Sequence, residues 1–137
     1  MKKLIYFLMF IMTLTSCTKD ENDNNSNKIN PPDWIIGTWY YELENDIYMD
    51  NGFKFTDDDF IIILYNQQES IKESLFPNNQ AVGDANVIEE ISQSRYYIKI
   101  NFGSIVGGHT QEYEFVKINA DKIQLLDGVA DAYYVRQ

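Results

Sequence analysis

The side chains that could do chemistry in this chain are few and far apart. Cys17 is the only cysteine and His109 the only histidine. A Ser-His-Asp or Cys-His catalytic device would have to use His109, which stands beside Gly107-Gly108 in a predicted loop, and no Gly-X-Ser-X-Gly turn is present to display a serine nucleophile. A single thiol cannot form an intramolecular disulfide. The sequence therefore predicts a protein that is not an enzyme and leaves Cys17 to be explained.

Carboxylates raise two further possibilities. Asp57, Asp58 and Asp59 could bind calcium, but the twelve-residue loop with its glycine and closing glutamate is missing, so a solvated hairpin tip is favoured. Glu89 and Glu90 could act as an acid/base pair on sugars only if they lay in a cleft at a defined separation. The sequence has no Gly-rich phosphate loop and no zinc-ligand spacing. We expect no metal ion and no cofactor.

Cys17 follows a short apolar segment. Lys2 and Lys3 precede an uncharged run over residues 4–16, which is shorter than the ~20 apolar residues that cross a bilayer. A positive flank, an apolar run and small residues at its end are typical of a secretory signal peptide. At Leu14-Thr15-Ser16-Cys17 the sequence resembles the lipobox of bacterial lipoproteins, with Leu at −3, a small residue at −1 and Cys at +1.

This resemblance implies that residues 1–16 are removed as a signal peptide and that Cys17 carries diacylglycerol on its thiol and an acylated amino terminus. Because each buried methylene adds ~0.8 kcal/mol of membrane affinity, two or three acyl chains hold a protein firmly. The expected location is the outer membrane, on its periplasmic or cell-surface side. Thr18-Lys19-Asp20-Glu21 looks like the surface-export signal of some Gram-negative lipoproteins, with an ordinary solvated tether as the alternative.

Residues 17–32 are predicted to be the lipidated cysteine and a disordered tether, since 18–30 contain one apolar residue among Asn, Asp, Lys, Glu, Thr and Ser. As a flexible coil the stretch to Pro32 would reach ~20 to 25 Å. Removing residues 1–16 deletes two lysines and no acid, which changes the formal charge from −10 to −12. That charge repels nucleic acid and anionic lipid surfaces, so the sequence predicts no nucleic-acid partner.

Residues 33–137 are predicted to form one domain built of strands, because the chain is rich in tyrosine, phenylalanine and β-branched residues. In an extended strand alternate side chains share a face. Two alternating runs are expected to face the interior: Gly37, Trp39, Tyr41 and Leu43 in the first, and Tyr96, Ile98, Ile100 and Phe102 in the second.

The remaining strands are predicted from apolar runs and turns. Runs 53–56 and 60–65 flank the acidic turn as a hairpin, and the second is apolar on both faces. In 113–118 the apolar parity changes between Phe115 and Val116, which predicts either a bulge or a strand whose two faces swap roles. Segments 69–75 and 86–93 are ambiguous between a helical turn and strands, and the strand count favours strands. Further strands are expected at 123–126 and 132–136.

Short strands at hairpin spacing predict an all-β, antiparallel up-and-down β-barrel of about eight strands, whose closure removes exposed edges. Gly37-Thr38-Trp39 resembles the Gly-X-Trp signature of lipocalins, and more specifically that of small lipocalin-like domains in bacterial lipoproteins. In that family the Trp closes the barrel bottom and an Arg near the last strand stacks over it, which Arg136 could do here. Two features depart from the family: the domain is short and the Thr-Asp-Tyr motif is missing, so Trp39 as an ordinary core aromatic is the alternative.

The lipocalin resemblance implies a small apolar or amphipathic ligand inside the barrel, with Tyr41, Leu43, Tyr96, Ile98, Ile100 and Phe102 as lining candidates. The same side chains could instead fill a solid core. The alternative function is a protein-interaction module, an inhibitor or an accessory subunit of an envelope complex, that uses the barrel exterior. Its candidates are the two-sided run 60–65 and the tyrosines Tyr40, Tyr97 and Tyr134, since Tyr is favoured at interfaces. The sequence identifies no protein partner.

Overall fold

A computed structural model describes residues 28–43, 48–65, 67–126 and 131–137. Cys17, the predicted signal peptide and most of the predicted tether lie outside the described residues. The strands are β1 Gly37–Glu42, β2 Tyr48–Phe55, β3 Phe60–Leu64, β4 Gln67–Ser70, β5 Asn86–Ile91, β6 Arg95–Asn101, β7 Thr110–Lys117, β8 Lys122–Leu126 and β9 Asp131–Arg136. A short helix, α1, spans Ile71–Leu75, and 3-10 turns occur at Pro77–Asn79 and Ser104–Val106. None of the helices in these ranges is long and apolar enough to span a membrane.

All nine strands belong to one antiparallel sheet in the order β4-β3-β2-β1-β9-β8-β7-β6-β5. The first and last strands pair, with Trp39 opposite Arg136 and Tyr41 opposite Tyr134. The sheet therefore curls into a half-barrel whose two end strands are β4 and β5. The predicted all-β antiparallel class is confirmed, with nine strands in place of about eight.

The core lies inside the curl. On β6, Tyr96, Ile98 and Ile100 are fully buried, while the intervening side chains are half-buried on the outer face. Aromatic rings fill the centre: Phe55 stacks on Phe60 with centroids 5.1 Å apart. Burying a side chain of this kind contributes ~1.5 to 3 kcal/mol relative to leaving it exposed. The alternation predicted for this strand therefore describes its burial correctly.

Helix α1 begins where a strand was predicted. The Ser70 side chain caps the helix by accepting from the Glu73 N–H at 3.0 Å. Asp59 accepts from the Ser70 hydroxyl at 2.6 Å and from the Lys72 N–H at 2.9 Å. Ile71 and Leu75 then bury on the same helical face. The strand prediction for 69–75 is wrong beyond residue 70, because the acidic turn satisfies the first backbone N–H groups of a helix.

The packed domain begins before Asp33, the predicted boundary. Ile29 is fully buried in the core and Pro31 is also buried. The Asn30 N–H donates to both carboxylate oxygens of Glu89, each at 3.0 Å. The single apolar side chain of this polar segment, that of Ile29, holds it on the domain because it packs into the hydrophobic core. Ile29 and Pro31, which the sequence predicts as part of the tether, are therefore packed against the domain.

The predicted bulge in β7 is absent, because the β6–β7 register runs without interruption from Arg95 opposite Val116 to Asn101 opposite Thr110. Val116 is half-buried on the outer face, so an apolar residue there requires no change of parity. The irregular register lies instead between β1 and β2. There, a Cβ on Gly52 would lie 2.0 Å from the Trp39 carbonyl oxygen, which only glycine avoids.

Candidate functional site

Arg136 stacks on Trp39 across the β1–β9 pair, at one end of the half-barrel. The guanidinium carbon lies 4.3 Å from the centre of the Trp39 ring. Its Nη1 donates to the Ile36 carbonyl and its Nη2 to the Trp34 carbonyl at 3.1 Å. The Trp39 Nε1 donates to the Ile35 carbonyl at 2.6 Å. The segment before β1 thus folds across this end, and both polar groups of the stacked pair have partners.

Gly37 makes room for that arrangement. Its φ of +135° is a conformation that side chains with a Cβ rarely adopt, and a Cβ there would lie 2.6 Å from Arg136 Nη1. The Arg136 Nε also donates to the Ala120 carbonyl at 3.1 Å, which ties in the turn before β8. The structure therefore brings together the three residues for which the sequence suggested barrel closure, Gly37, Trp39 and Arg136.

A cavity of about 600 Å³, open to solvent, occupies another part of the half-barrel. Strands β2, β3, β4, β7 and β9, helix α1 and the loop between β6 and β7 supply its walls. Its aromatic and aliphatic lining includes Phe53, Ile63, Ile71, Phe102, Tyr113 and Tyr134. Ligand cavities in proteins commonly have this size and this apolar character.

Aromatic rings line the cavity in two groups, which together are called the aromatic wall. The Phe53 ring lies 4.9 Å from the Tyr134 ring and 5.9 Å from the Tyr113 ring, centre to centre. Phe102 stacks on the His109 imidazole at 4.3 Å, and both line the cavity from the β6–β7 loop. Phe53, Ile63 and Ile71 are almost fully buried, so they form the deep end.

Polar groups stand around the more exposed part of this lining: Asn51, Glu69, Ser74, His109 and Gln111. The Tyr113 hydroxyl donates to the Gln111 side chain at 3.0 Å. Burial, and then the negative charge of Glu69, raises the pKa of the Tyr113 hydroxyl. The field of the Glu69 carboxylate therefore reaches the aromatic wall.

The sequence-predicted lining residues are distributed between this cavity and the solid core. Phe102 lines the cavity, and Tyr41 packs edge-on against Tyr134 with centroids 5.6 Å apart. Leu43 is half-buried and lies outside the lining. Tyr96, Ile98 and Ile100 are fully buried in the core and are not among the described residues that line this cavity. Alternation identifies the inner face of a strand but does not show where the interior is left unfilled.

Several residues that line the cavity were not predicted from the sequence. Tyr134, predicted to face outward, lines the cavity and packs on Phe53, because it shares the inward parity of Arg136 on β9. Tyr113 lies in segment 113–118, where a change of parity was predicted. Glu69 lies in segment 69–75, which was ambiguous between a helical turn and a strand. The one sequence signal was the two-sided apolar run 60–65, of which Ile62, Ile63 and Leu64 line the cavity.

Glu89 and Tyr96 form a second polar contact, away from this cavity. The Tyr96 hydroxyl donates to Glu89 at 2.5 Å. Burial raises the pKa of the Glu89 carboxyl against the opposing effect of its hydrogen bonds, and raises the pKa of Tyr96 well above its usual range. Glu90 faces the other side of β5 and pairs with Arg95 at 3.2 Å. Glu89 and Glu90 therefore do not share a cleft, as an acid/base pair would require.

The acidic turn is likewise occupied by structural contacts, since Asp58 pairs with Lys72 and Asp59 caps α1. Within the described ranges, no group of three or more His, Cys, Asp or Glu side chains is placed to hold a metal ion. No protein-family model matches the chain, and neither a curated protein nor a solved structure matches it. The site therefore has to be interpreted from its own geometry, which is that of an open cavity with a largely apolar lining.

Proposed function

We propose that this protein is a lipid-anchored envelope lipoprotein whose lipocalin-like domain binds a small apolar or amphipathic ligand and does not transform it. The observation that carries the proposal is the cavity of about 600 Å³, with an apolar deep end and polar groups at its opening. An apolar deep end accepts a hydrocarbon or ring system, and the polar groups orient a head group.

The lipocalin-like part of the proposal is supported by the closed end. A Gly-X-Trp strand whose Trp lies beneath an Arg from the last strand is the arrangement that the sequence resemblance implied. The half-barrel keeps an open cavity beside this closure.

The anchor part of the proposal depends on the sequence Leu14-Thr15-Ser16-Cys17. We expect mass spectrometry of the membrane-extracted protein to show an amino terminus at Cys17 carrying diacylglycerol and a further acyl chain. Cys17→Ser should lose both modifications and leave the outer-membrane fraction. A wild-type protein without lipid at Cys17 would refute the anchor and would leave the cavity argument untouched.

Fewer observations support the alternative function, a protein-interaction module that uses the barrel exterior. Half-buried Tyr97 lies beneath Arg95, whose guanidinium is 5.8 Å from the ring centre. Ion pairs join β6 to β7 on this outer face, between Arg95 and Glu114 and between Lys99 and Glu112. Half of the large exposed apolar side chains in the described ranges belong instead to segments around the cavity: Leu64, Tyr65 and Ile105. The apolar surface thus favours an opening for a ligand.

The decisive experiment uses the chain from Thr18 to Gln137, which contains every residue of the described core. It is incubated with a total lipid extract of its source membrane and examined by native mass spectrometry. We expect a discrete added mass at a ratio of one ligand per chain. A chain that stays bare across lipid extracts and apolar probes would refute ligand binding and would direct the search to protein partners by cross-linking.

A further inference from the structure

The charge of the cavity lining is one-sided. Among the described residues that line the cavity, Glu69 and His109 are the only acidic or basic side chains, and none is a lysine or an arginine. The Glu69 carboxylate lines the same cavity as Tyr113, and its charge is the second cause, after burial, of the raised pKa of the Tyr113 hydroxyl. A ligand in the cavity therefore meets a negative potential.

Five of the basic side chains in the described ranges make contacts outside the cavity lining. Arg136 stacks on Trp39. The other four make ion pairs with acids outside the lining: Lys72 with Asp58, Lys99 with Glu112, Lys122 with Glu42, and Arg95 with Glu114. The chain as a whole carries a formal charge of −10. An anionic head group, such as a fatty-acid carboxylate, would lose its hydration at Glu69 without gaining a counter-charge from the described lining.

The aromatic wall adds a second, independent preference. Phe53, Phe102, Tyr113 and Tyr134 line the same cavity as Glu69. The faces of aromatic rings attract cations through the ring quadrupole, and proteins use such rings to bind quaternary ammonium groups. A carboxylate together with aromatic faces is the combination that stabilises an organic cation while leaving room for its hydrocarbon part.

We propose that the cavity is selective for cationic amphiphiles, with the ammonium head group between Glu69 and the aromatic wall and the apolar tail against Ile63 and Ile71. This inference rests on the proposed ligand-binding function and gives its ligand a chemical class. Glu69 acts as the charge that selects the head group, and Tyr113 and Phe102 supply the ring faces.

The test compares three ligands that share a dodecyl chain and differ in head-group charge. Dodecyltrimethylammonium is cationic, dodecyldimethylamine N-oxide is neutral overall and similar in size, and dodecanoate is anionic. Isothermal titration calorimetry uses the chain from Thr18 to Gln137, each ligand below its micelle concentration, low salt and pH 8, at which histidine is normally neutral. We expect the ammonium to bind about tenfold more tightly than the N-oxide, and dodecanoate to bind most weakly.

Two matched variants locate the effect. Glu69→Gln should lower the ammonium affinity to that of the N-oxide and leave the N-oxide affinity unchanged. Glu73→Gln removes an exposed acid on α1 that does not line the cavity, and should change neither affinity. Circular dichroism of both variants checks that the fold is retained.

The outcomes separate this inference from the proposed function. Equal binding of all three ligands, tightest binding of dodecanoate, or an ammonium affinity unaffected by Glu69→Gln would overturn the charge selectivity while leaving a ligand-binding cavity in place. Binding of none of the three would overturn the selectivity for cationic amphiphiles. The lipid-extract experiment then decides the proposed function separately, because only a chain that also stays bare there would overturn ligand binding.

Discussion

Arg136 and Trp39 lie directly opposite each other on β9 and β1, and the guanidinium covers the indole ring at 4.3 Å. Three further hydrogen bonds bind the same guanidinium to the carbonyls of Trp34, Ile36 and Ala120. One side chain thus joins the last strand, the first strand and the segments beside both. Because the β1–β9 pair joins the run β4-β3-β2-β1 to the run β9-β8-β7-β6-β5, the contact fastens the two parts of the half-barrel together.

Arg136→Ala should lower the free energy of unfolding by about 2 to 4 kcal/mol, since it removes a partly desolvated cation–π contact and leaves backbone carbonyls without a donor. Urea denaturation followed by tryptophan fluorescence measures the loss. Arg95→Ala is the matched control, because that guanidinium makes only solvent-exposed ion pairs and a ring contact on the outer face, and it should cost clearly less. Equal losses in the two variants would contradict the closing role of Arg136.

Asp59→Ala should destabilise the protein by about 2 kcal/mol, because the Ser70 hydroxyl and the Lys72 N–H would lose their acceptor. Helix α1 would open more readily, so tryptic cleavage after Lys72 should accelerate. Asp57→Ala, at an exposed position in the same turn, should change both measurements little. If the two variants behave alike, the acidic turn is merely a solvated loop and does not anchor α1.

Glu89 gives the stability a pH dependence of a defined sign. Burial raises the pKa of this carboxyl above its ordinary value of 4.5 in the folded state, so the folded protein binds the proton more tightly than the unfolded chain. Its contribution to stability is therefore fully present below pH 4.5 and is lost as the pH rises through the folded-state pKa. Glu89→Gln mimics the neutral form at every pH.

Relative to wild type, Glu89→Gln should accordingly become more stable between pH 4 and pH 7, with a constant offset for its altered hydrogen bonds to Tyr96 and Asn30. Urea denaturation at several pH values gives this difference. Glu90→Gln, which removes an exposed ion-pair partner of Arg95 on the same strand as Glu89, is the control substitution. A wild-type-to-Glu89→Gln difference that is constant from pH 4 to pH 7 would contradict the raised pKa.

The part of the fold that the sequence predicts well is the part governed by one-sided burial. Tyr96, Ile98 and Ile100 alternate with polar or exposed neighbours, and a strand with one buried face leaves that period in the sequence. The sequence also predicts the Gly-X-Trp at the beginning of β1 and its partner Arg136 at the end of β9, since tryptophan and arginine are few in this chain. The strands at the ends of the sheet are harder, because partners distant in sequence decide them.

Helix α1 shows the limit of local patterns. Its first turn depends on Asp59, which is thirteen residues before the Lys72 N–H that it accepts from. Ile29 is similar: its neighbours are those of a disordered tether, and only the assembled core provides the slot that buries it. The cavity depends on residues that are even further apart in the sequence, since it is the gap that remains between the inner faces of β2, β3, β7 and β9. No period in any one strand encodes that gap.

Ser74→Trp offers the most direct test of whether this gap is the binding site. Ser74 lines the cavity from α1, and its hydroxyl donates a hydrogen bond to the Ser70 carbonyl. An indole at this position would occupy space that a ligand needs, at a cost in stability of about 1 to 3 kcal/mol if the cavity wall must shift. Fluorescence titration with the neutral apolar probe N-phenyl-1-naphthylamine should show an affinity loss of about tenfold or more, equivalent to at least ~1.4 kcal/mol.

The adjacent residue supplies the control for that substitution. Glu73 is exposed on the same helix and lies outside the lining, so Glu73→Trp adds the same indole without entering the cavity and should leave the probe affinity unchanged. Circular dichroism and urea denaturation of both variants show whether each remains folded. Wild-type affinity in a folded Ser74→Trp protein would mean that the probe binds elsewhere, and an equal loss in both variants would mean that α1 responds to bulk rather than to occupation of the cavity.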